Sequence, residues 1–501
     1  MLYESTRGQF KKVLSAEAIK LGISPDGGLF VPCEIPLIAI NRLKEMVDQG
    51  YQTRAAVILK EYLTDYSKEE IDECVSLSYN QEKFDSPAIA PVRQLDDSLY
   101  ILELWHGPTC AFKDMALQIL PHLLTKAAVK TGDISTIVIL VATSGDTGKA
   151  ALEGFKDVPR TRIIVFYPEQ GVSAMQQLQM ITQEGNNVDV VAVRGNFDDA
   201  QNGVKDIFGN TGFNQDLYRK NYRLSSANSI NWGRLVPQIA YYFSAYLDLV
   251  ARGNVTLGEK INFVVPTGNF GNILSAYYAM EMGLPISRLI CASNANNVLT
   301  DFIGTGVYNR KRQFWKTISP SMDILISSNL ERLLYHLNGR DHAKTSEWMA
   351  NLKDSGKYQV DELTFARIDR LFWPGFANDN ETIETIRSIY QKYSYVIDTH
   401  TGVGISVYQK YVKATGDNTK TIIASTASPF KFNTSVVRAV LGDDAVKGKN
   451  EFELLELLSV LSSNEIPSGL KDLDKKTILH RRTVSKNDMR EEVNNILQSA
   501  N

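Results

Sequence analysis

The fold of this 501-residue chain is decided by the stretch Leu102-Glu-Leu-Trp-His-Gly-Pro-Thr-Cys-Ala-Phe-Lys-Asp-Met-Ala-Leu-Gln118. An apolar, strand-like run over 99–104 leads into it and breaks at Gly107-Pro108, where the chain turns. From Asp114 onward, apolar residues at four-residue intervals predict a helix over 113–130, which Pro121 kinks without ending. The pattern therefore predicts a strand, a turn and a helix, with Lys113 at the join between turn and helix.

Lys113 stands at a helix N-terminus, where the free N–H groups of the first turn already make the environment positive. A second positive charge is unfavourable there, so the amine is biased toward its neutral form. A neutral amine is a nucleophile that can form a Schiff base with an aldehyde. Taken alone, however, the residue is better explained as a solvated first-turn lysine, because most lysines are exposed.

Two glycine-rich turns change this assessment. The β-branched run Ile137-Val-Ile-Leu-Val-Ala142 predicts a strand buried on both faces, and it leads directly into Thr143-Ser-Gly-Asp-Thr-Gly148. Similarly, Ile261-Asn-Phe-Val-Val-Pro266 leads into Thr267-Gly-Asn-Phe-Gly-Asn272 and a further helix. A strand, a glycine turn and a helix N-terminus together hold an anion with main-chain N–H groups. Neither turn matches the Walker or the dinucleotide pattern. Two such turns and a lysine suggest a phosphorylated aldehyde cofactor, pyridoxal phosphate.

Strand and helix patterns alternate from residue 94 to about 440. Apolar runs cover 99–104, 137–142, 162–167, 188–193, 261–266, 288–292 and 421–425, and amphipathic helices lie between them. This order predicts an α/β fold with open parallel sheets, in which ligands bind at the carboxyl ends of the strands. Strand patterns fade over about 305–400, which predicts a helical insertion.

Composition excludes several classes of protein. Hydrophobic content of 44% and charged content of 22% are typical of a soluble globular protein, and a net charge of −3 argues against nucleic-acid binding. No apolar run is long enough to span a membrane, and no secretory signal is evident. The four cysteines lie far apart without metal-ligand spacing, which predicts a reducing cytoplasm and no metal site.

The chain resembles the threonine synthase family of fold-type-II pyridoxal phosphate enzymes. The matching segments occur in the family's order and are Ser5-Thr-Arg-Gly8, Ser24-Pro-Asp-Gly-Gly-Leu-Phe-Val-Pro32, His106-Gly-Pro-Thr109, Phe112-Lys-Asp114, Ser144-Gly-Asp-Thr-Gly148, Ser225-Ser-Ala-Asn-Ser-Ile-Asn-Trp-Gly-Arg234, Gly268-Asn-Phe-Gly-Asn272 and Thr426-Ala-Ser-Pro429. The resemblance implies two doubly wound parallel-sheet lobes with an additional, mostly helical N-terminal domain. We expect the N-terminal domain over 1–93, the cofactor-dependent region over 94–440 and a helical tail over 441–501.

The resemblance also assigns the cofactor site. Lys113 is expected to carry pyridoxal phosphate and to act as the catalytic base. The main chain of Gly268, Asn269, Phe270, Gly271 and Asn272 is expected to hold its phosphate. Thr426 occupies the position of the hydroxyl that contacts the ring nitrogen, with Ser425 as the alternative. Asp146 stands where related enzymes usually place an asparagine against the ring O3′, so its role remains open between substrate contact and structure.

The implied substrate is O-phospho-L-homoserine, which carries a carboxylate and a phosphate. The turn containing Thr143, Ser144, Asp146 and Thr147 offers donors to the carboxylate. For the phosphate we expect a pocket of Ser226, Asn228, Ser229, Asn231 and Arg234, since an arginine fork suits a phosphate. The alternative for that segment is a helix cap at Ser229 with a solvated arginine. His106 and His400 are expected to make structural hydrogen bonds.

Three functions share these motifs. The first is threonine synthesis, with elimination of phosphate from Cγ and addition of water at Cβ. The second is a phospho-lyase of the same family that releases 2-oxobutyrate, and the third is a non-catalytic module that retains the fold. Intact Lys113 and two glycine loops favour an enzyme over a module. The expected quaternary state is a monomer or a homodimer.

Overall fold

A computed structural model describes residues 1–143, 145–170 and 172–499, so that Ser144 lies outside the described residues. The strands in chain order are β1 (Leu2–Ser5), β2 (Val13–Leu14), β3 (Phe30–Pro32), β4 (Val92–Gln94), β5 (Leu99–Glu103), β6 (Thr136–Ala142), β7 (Thr161–Pro168), β8 (Val188–Arg194), β9 (Tyr222–Ser225), β10 (Ile261–Pro266), β11 (Ile286–Ser293), β12 (Val307–Asn309), β13 (Lys357–Gln359), β14 (Phe372–Phe376), β15 (Thr421–Ser425) and β16 (Arg482–Ser485).

The α-helices lie between and after these strands. In chain order they are α1 (Ser15–Leu21), α2 (Ile40–Met46), α3 (Tyr51–Tyr62), α4 (Lys68–Ser78), α5 (Asp114–Leu117), α6 (Leu120–Lys130), α7 (Asp146–Phe155), α8 (Ala174–Ile181), α9 (Phe197–Gly209), α10 (Thr211–Arg219), α11 (Trp232–Ala251), α12 (Gly271–Glu281), α13 (Val298–Thr305), α14 (Leu330–Leu337), α15 (His342–Asp354), α16 (Glu362–Leu371), α17 (Asp379–Tyr393), α18 (Thr399–Thr415), α19 (Asn433–Leu441), α20 (Glu451–Ser462) and α21 (Met489–Gln498). Within the described residues, no helix combines the length and apolar character of a membrane span.

Two parallel sheets carry most of the chain. The larger has the order β14-β11-β10-β15-β5-β4, and its strands run parallel except for the edge strand β4. The smaller has the order β16-β8-β7-β6-β9 and is parallel throughout. The prediction of open parallel sheets is therefore confirmed. Because parallel strands end at the same edge, the segments that follow β5, β10 and β15 meet at one edge of the larger sheet.

The N-terminal region combines helices α1–α4 with a small antiparallel sheet of order β2-β1-β3. Helix α4 begins with a capping box between Ser67 and Glu70. The helices were predicted but the sheet was not, because strands of two to four residues are too short to show an alternating pattern.

Helix α11 is the central helix of the molecule. Nearly all of its 20 residues are buried, and it packs against both α3 of the N-terminal region and α12 after β10. A helix that is apolar on all sides can only lie in an interior. Its first turn carries Arg234, so that burial of the helix fixes the position of that side chain.

The predicted helix over 113–130 is wrong at its start. The chain forms the short helix α5, leaves the helical pattern at Gln118 and Ile119, and restarts as α6 with Pro121 in the first turn. Proline lacks an N–H and its ring clashes with the preceding turn in a helix interior, but it is well accommodated in a first turn. Pro121 therefore begins a helix and does not kink one.

The region over 305–400 is also more than helical. Strand β14 pairs with β11 and forms an edge of the larger sheet. Pro374 and Gly375 interrupt its strand pattern, and such residues are tolerated at a sheet edge. The tail over 441–501 likewise contains β16, which joins the edge of the smaller sheet beside β8. Both strands depend on a distant partner for their stability, and so the local pattern did not reveal them.

Candidate active site

The carboxyl ends of the two sheets face each other across Lys113. This residue precedes α5, in the segment that follows β5 of the larger sheet. Its Nζ lies 3.6 Å from Asp146 Oδ2, and Asp146 begins α7 after β6 of the smaller sheet. The Lys113 side chain is only 12% exposed. The structure therefore brings these two segments together.

Asp146 is held by contacts from both sheets. Its Oδ1 accepts a hydrogen bond from Lys431 Nζ at 2.7 Å and from Gln176 Nε2 at 3.2 Å. Lys431 lies in a 3₁₀ turn, Pro429–Phe432, just after β15, and it also donates to the carbonyl oxygen of Thr109 at 2.9 Å. Asp146 is thus a buried carboxylate between two lysines, which places it in the site and not in a merely structural turn.

Burial and neighbouring charges set the ionisation of this pair. Burial lowers the pKa of the Lys113 amine; the carboxylate of Asp146 opposes that shift, while Lys431 and Arg234 reinforce it. Burial alone would raise the pKa of Asp146, but Lys431 and Lys113 outweigh it and hold that pKa well below its usual range. The net result is a carboxylate that favours its charged form beside an amine that gives up its proton more readily than an exposed lysine.

The second glycine turn lies between β10 and α12. Phe270 caps α12 in the left-handed conformation, with φ of +63°. A Cβ at Gly268 would lie 2.6 Å from the carbonyl oxygen of Ser321, so glycine is required there. The hydroxyl of Ser327 donates to the carbonyl oxygen of Gly268, and Asn329 contacts the carbonyl oxygen of Asn269. These contacts hold the loop in place while leaving the N–H groups at the start of α12 without intrahelical partners.

Asn272 supplies the most direct sign of a missing ligand in this loop. Its Oδ1 accepts hydrogen bonds from the hydroxyls of Tyr241 and Tyr242 at 2.5 and 2.6 Å. Its Nδ2 is buried and has no partner among the described residues. A buried N–H donor without an acceptor is costly, and a bound anion would satisfy it.

The hydrogen bonds of Thr426 and Ser425 distinguish the two candidates for the cofactor ring nitrogen. Ser425 Oγ accepts a hydrogen bond from Trp105 Nε1 at 3.0 Å. Because the Thr401 hydroxyl donates to Asp398, the Ser425 hydroxyl donates to Thr401 Oγ1 at 2.9 Å, and Ser425 is committed to the protein. The main-chain carbonyl of Thr426 accepts from the N–H of Phe112, next to Lys113. Thr426 therefore lies beside the lysine and is the better candidate for the ring nitrogen.

The turn after β6 is organised by one of its own hydroxyls. Thr143 Oγ1 accepts hydrogen bonds from the N–H groups of Gly145 and Gly148 and donates to the carbonyl oxygen of Gly145. Thr143 thus shapes the turn, contrary to the expectation that its hydroxyl is available to a substrate. Thr147 is half-buried in the first turn of α7.

The segment between β9 and α11 contains a buried cation. Arg234 is 4% exposed, and its NH1 donates a hydrogen bond to the carbonyl oxygen of Ala227. Its Nε is buried without a partner, and no carboxylate pairs with this guanidinium among the described residues. Burial lowers its pKa to about 10. A buried cation without a counter-ion favours an anionic ligand.

The other expected members of this pocket have different positions. Asn231 is the N-cap of α11, since its Oδ1 accepts from the N–H of Gly233 and its Nδ2 donates to the carbonyl oxygen of Ile19. The cap is therefore not Ser229, and Asn231 is committed to the fold. Ser226 Oγ accepts from the N–H of Asn228, which is exposed, and Ser229 offers its carbonyl oxygen to Asn329.

Sequence reasoning missed three residues of the site, which are Ser321, Asp398 and Lys431. Ser321 Oγ lies 3.3 Å from Lys113 Nζ, and the N–H of Ser321 donates to His400 Nε2. His400 in turn bonds to Asp398, the N-cap of α18, which supports the prediction of a structural hydrogen bond. Lys431 completes the set. Ser321 falls in the region over 305–400, and only proximity in space brings it to the lysine; Lys431 follows Thr426-Ala-Ser-Pro429 by two residues and could have been noticed.

The residues present fit pyridoxal phosphate. Lys113 is a buried amine that can react with the cofactor aldehyde. The 268–272 loop offers main-chain N–H donors and the unpartnered Asn272 Nδ2 to the cofactor phosphate. Thr426 follows β15, which lies between the strands that precede the loop and Lys113. The same geometry leaves Arg234 for a second anion.

Comparison with known proteins gives the same result. A family model described as "Pyridoxal-phosphate dependent enzyme" matches residues 80–426. Models described as "Threonine synthase N terminus" and "Threonine synthase, C-terminal" match residues 2–79 and 401–496. The fold and site thus define a fold-type-II pyridoxal phosphate enzyme.

Individual relatives narrow this class. Threonine synthase of Pseudomonas aeruginosa is 38% identical over 442 residues, which are 88% of this chain and 91% of the relative. A solved structure of pyridoxal-phosphate-bound threonine synthase from Brucella melitensis has a TM-score of 0.88 at 34% identity, covering 100% of this chain and 99% of that one. The human "Threonine synthase-like 1" protein is 39% identical, and the chain spans 61% of its length. The chain belongs to the threonine synthase family.

Proposed function

We propose that this enzyme converts O-phospho-L-homoserine and water into L-threonine and inorganic phosphate. The observation that carries the proposal is Arg234, a buried guanidinium that has no counter-ion among the described residues and whose positive charge lowers the pKa of Lys113. In this proposal the N–H groups of the 268–272 loop bind the cofactor phosphate. The buried Arg234 cation then requires a separate anion, which is carried by the substrate. A phosphorylated amino acid supplies that anion.

Each residue then has a defined task. Pyridoxal phosphate, when bound, supplies an electron sink for bond cleavage at the substrate Cα. Lys113 removes the Cα proton and later the Cβ proton, and its lowered pKa suits a base. Asp146 stays ionised and stabilises the charge that Lys113 acquires. Arg234 binds the phosphate that leaves Cγ. The two protons that Lys113 takes up return to Cγ and to Cα, while water supplies its hydroxyl group to Cβ and its proton to the released phosphate.

Substrate contacts by the remaining members of the pocket belong to the same proposal. The main-chain N–H groups at the start of α7 and the Thr147 hydroxyl suit the substrate carboxylate. Asp146 in the same turn contacts Lys113, and its negative charge orients the substrate by repelling that carboxylate. Ser226, Asn228 and Ser229 border Arg234 in the chain. We place the domain boundaries at residues 93 and 440 and propose a monomer or a homodimer. We also propose a cytoplasmic location, because four free thiols fit a reducing compartment.

The test is incubation of the purified holoenzyme with O-phospho-L-homoserine, followed by separate assays for threonine, 2-oxobutyrate and phosphate. We expect threonine and phosphate in equal amounts. Formation of 2-oxobutyrate in place of threonine would assign the phospho-lyase reaction. Lys113→Ala should abolish turnover and prevent covalent trapping of the cofactor by borohydride.

A further inference from the structure

Ser321 is exposed, but its main chain contacts buried groups on two sides. It lies in the 3₁₀ turn Pro320–Met322, and its N–H donates to His400 Nε2 at 3.2 Å. A main-chain N–H can only donate, so Nε2 accepts and the ring hydrogen lies on Nδ1, facing Asp398 Oδ2 at 2.7 Å. His400 and Asp398 are almost wholly buried. The turn is therefore tied to the start of α18.

The other side of Ser321 is fixed by the cofactor loop. Its carbonyl oxygen occupies the space that a Cβ of Gly268 would need. Asp398 is itself fixed, because its Oδ1 accepts from both the N–H and the hydroxyl of Thr401. With both main-chain sides held, the hydroxyl of Ser321 has a defined position.

That position is at the reactive amine. Ser321 Oγ lies 3.3 Å from Lys113 Nζ and 3.5 Å from Asp146 Oδ2. The lysine can therefore donate to Ser321 Oγ while the serine hydrogen points to the carboxylate. A flexible lysine side chain has many rotamers, and this contact selects one of them.

We propose that Ser321, held by the Asp398–His400 pair, is a positioning residue that orients the Lys113 amine for attack on the cofactor aldehyde. It makes or breaks no bond to substrate or cofactor, and acts only through the lysine. The proposal rests on the proposed role of Lys113 as attachment point, and not on which product the enzyme releases.

The experiment is reconstitution of the apoenzyme with pyridoxal phosphate. Non-covalent capture is followed by quenching of tryptophan fluorescence, and covalent attachment by the visible absorbance band and by borohydride trapping. The variant Ser321→Ala should slow the covalent step about tenfold, the effect of losing one hydrogen bond, while capture changes less than about twofold. Ser321→Thr, which keeps the hydroxyl, should restore most of the rate.

Ser319→Ala is the matched control. It removes a buried hydroxyl two residues away that bonds to Asn294 and Thr317 and does not contact Lys113. Its covalent step should keep the wild-type rate. Wild-type attachment in Ser321→Ala, or equal slowing in Ser319→Ala, would overturn the proposal.

Two further measurements keep the result unambiguous. If Ser321→Ala does not fold, Ser321→Cys serves instead, and slowed attachment supports the proposal while a wild-type rate overturns it. In steady state Ser321→Ala should lower kcat with little change in KM. Absence of threonine in wild-type assays would refute the proposed function alone, because the attachment rates do not depend on the product.

Discussion

Lys431 donates to Asp146 across 2.7 Å, and the two side chains are 2% and 5% exposed. Lys431 follows β15 of the larger sheet, whereas Asp146 follows β6 of the smaller sheet. The ion pair thus joins the carboxyl ends of the two sheets at the reactive lysine. A buried pair in this place affects both the stability of the fold and the chemistry of Lys113.

Lys431→Met should destabilise the protein by about 3–5 kcal/mol, because it leaves the buried carboxylate of Asp146 without its main partner. Urea unfolding gives the measurement. The matched control is Lys447→Met, which removes a lysine from the exposed pair with Asp444 and should change stability by less than about 1 kcal/mol. Equal effects of the two substitutions would contradict the prediction.

Asp146→Asn should shift the acid limb of the kcat profile to lower pH. The carboxylate raises the pKa of Lys113, whereas burial lowers it. Removing the carboxylate leaves the lowering effect unopposed, so the amine stays neutral down to a lower pH. The measurement is kcat against pH at saturating substrate. A limb that stays in place or moves to higher pH would refute this assignment.

Arg234→Ala should raise KM for the phosphorylated substrate about 10- to 100-fold, which is the loss of charge-assisted hydrogen bonds worth about 1.5–3 kcal/mol. Inhibition by inorganic phosphate should weaken in parallel, and Arg234→Lys should restore part of both. The visible colour of the bound cofactor should persist in the variant, since the 268–272 loop is intact. Loss of that colour would move Arg234 to the cofactor site.

Thr426→Ala should affect the bound cofactor, whereas Ser425→Ala should affect the stability of the fold. The first should alter the absorbance spectrum of the bound cofactor and lower kcat, with little change in stability. The second leaves the Trp105 N–H without its acceptor and removes the hydrogen bond to Thr401 Oγ1, and should cost about 1–3 kcal/mol of stability. The measurements are absorbance spectra and urea unfolding of both variants. An altered spectrum in Ser425→Ala and lost stability in Thr426→Ala would instead assign the cofactor ring nitrogen to Ser425.

Asp114 should make stability depend on pH. Burial raises the pKa of this carboxyl to about 6, although Thr109 donates to it twice. The folded protein therefore binds this proton more tightly than the unfolded chain, and the group's contribution is lost as the pH rises through 6. The free energy of unfolding of wild type relative to Asp114→Asn should rise by up to about 3 kcal/mol between pH 7 and pH 4. A flat difference would show that the carboxyl is not buried as described.

Much of the site was predictable because it follows directly from strand ends. Lys113, the turn at Asp146 and the 268–272 loop follow buried, apolar strands within about ten residues, and Arg234 follows the short strand β9; parallel sheets bring such segments to one edge. Thr143 and Asn231 were assigned to substrate because their residue types suit it. The structure shows that each satisfies main-chain N–H groups instead, which the residue type alone cannot indicate.

The amino-acid sequence by itself determined the α/β class, the place of Lys113 after a strand and a turn, and the two glycine turns, because these depend on local periodicity and on glycine and proline geometry. Only the tertiary structure decided that Ser321 contacts Lys113, that Lys431 neutralises Asp146 and that β14 and β16 complete the sheets. These relationships join residues up to about three hundred positions apart. Their stability comes from burial and pairing in space, which leave no periodic signal along the chain.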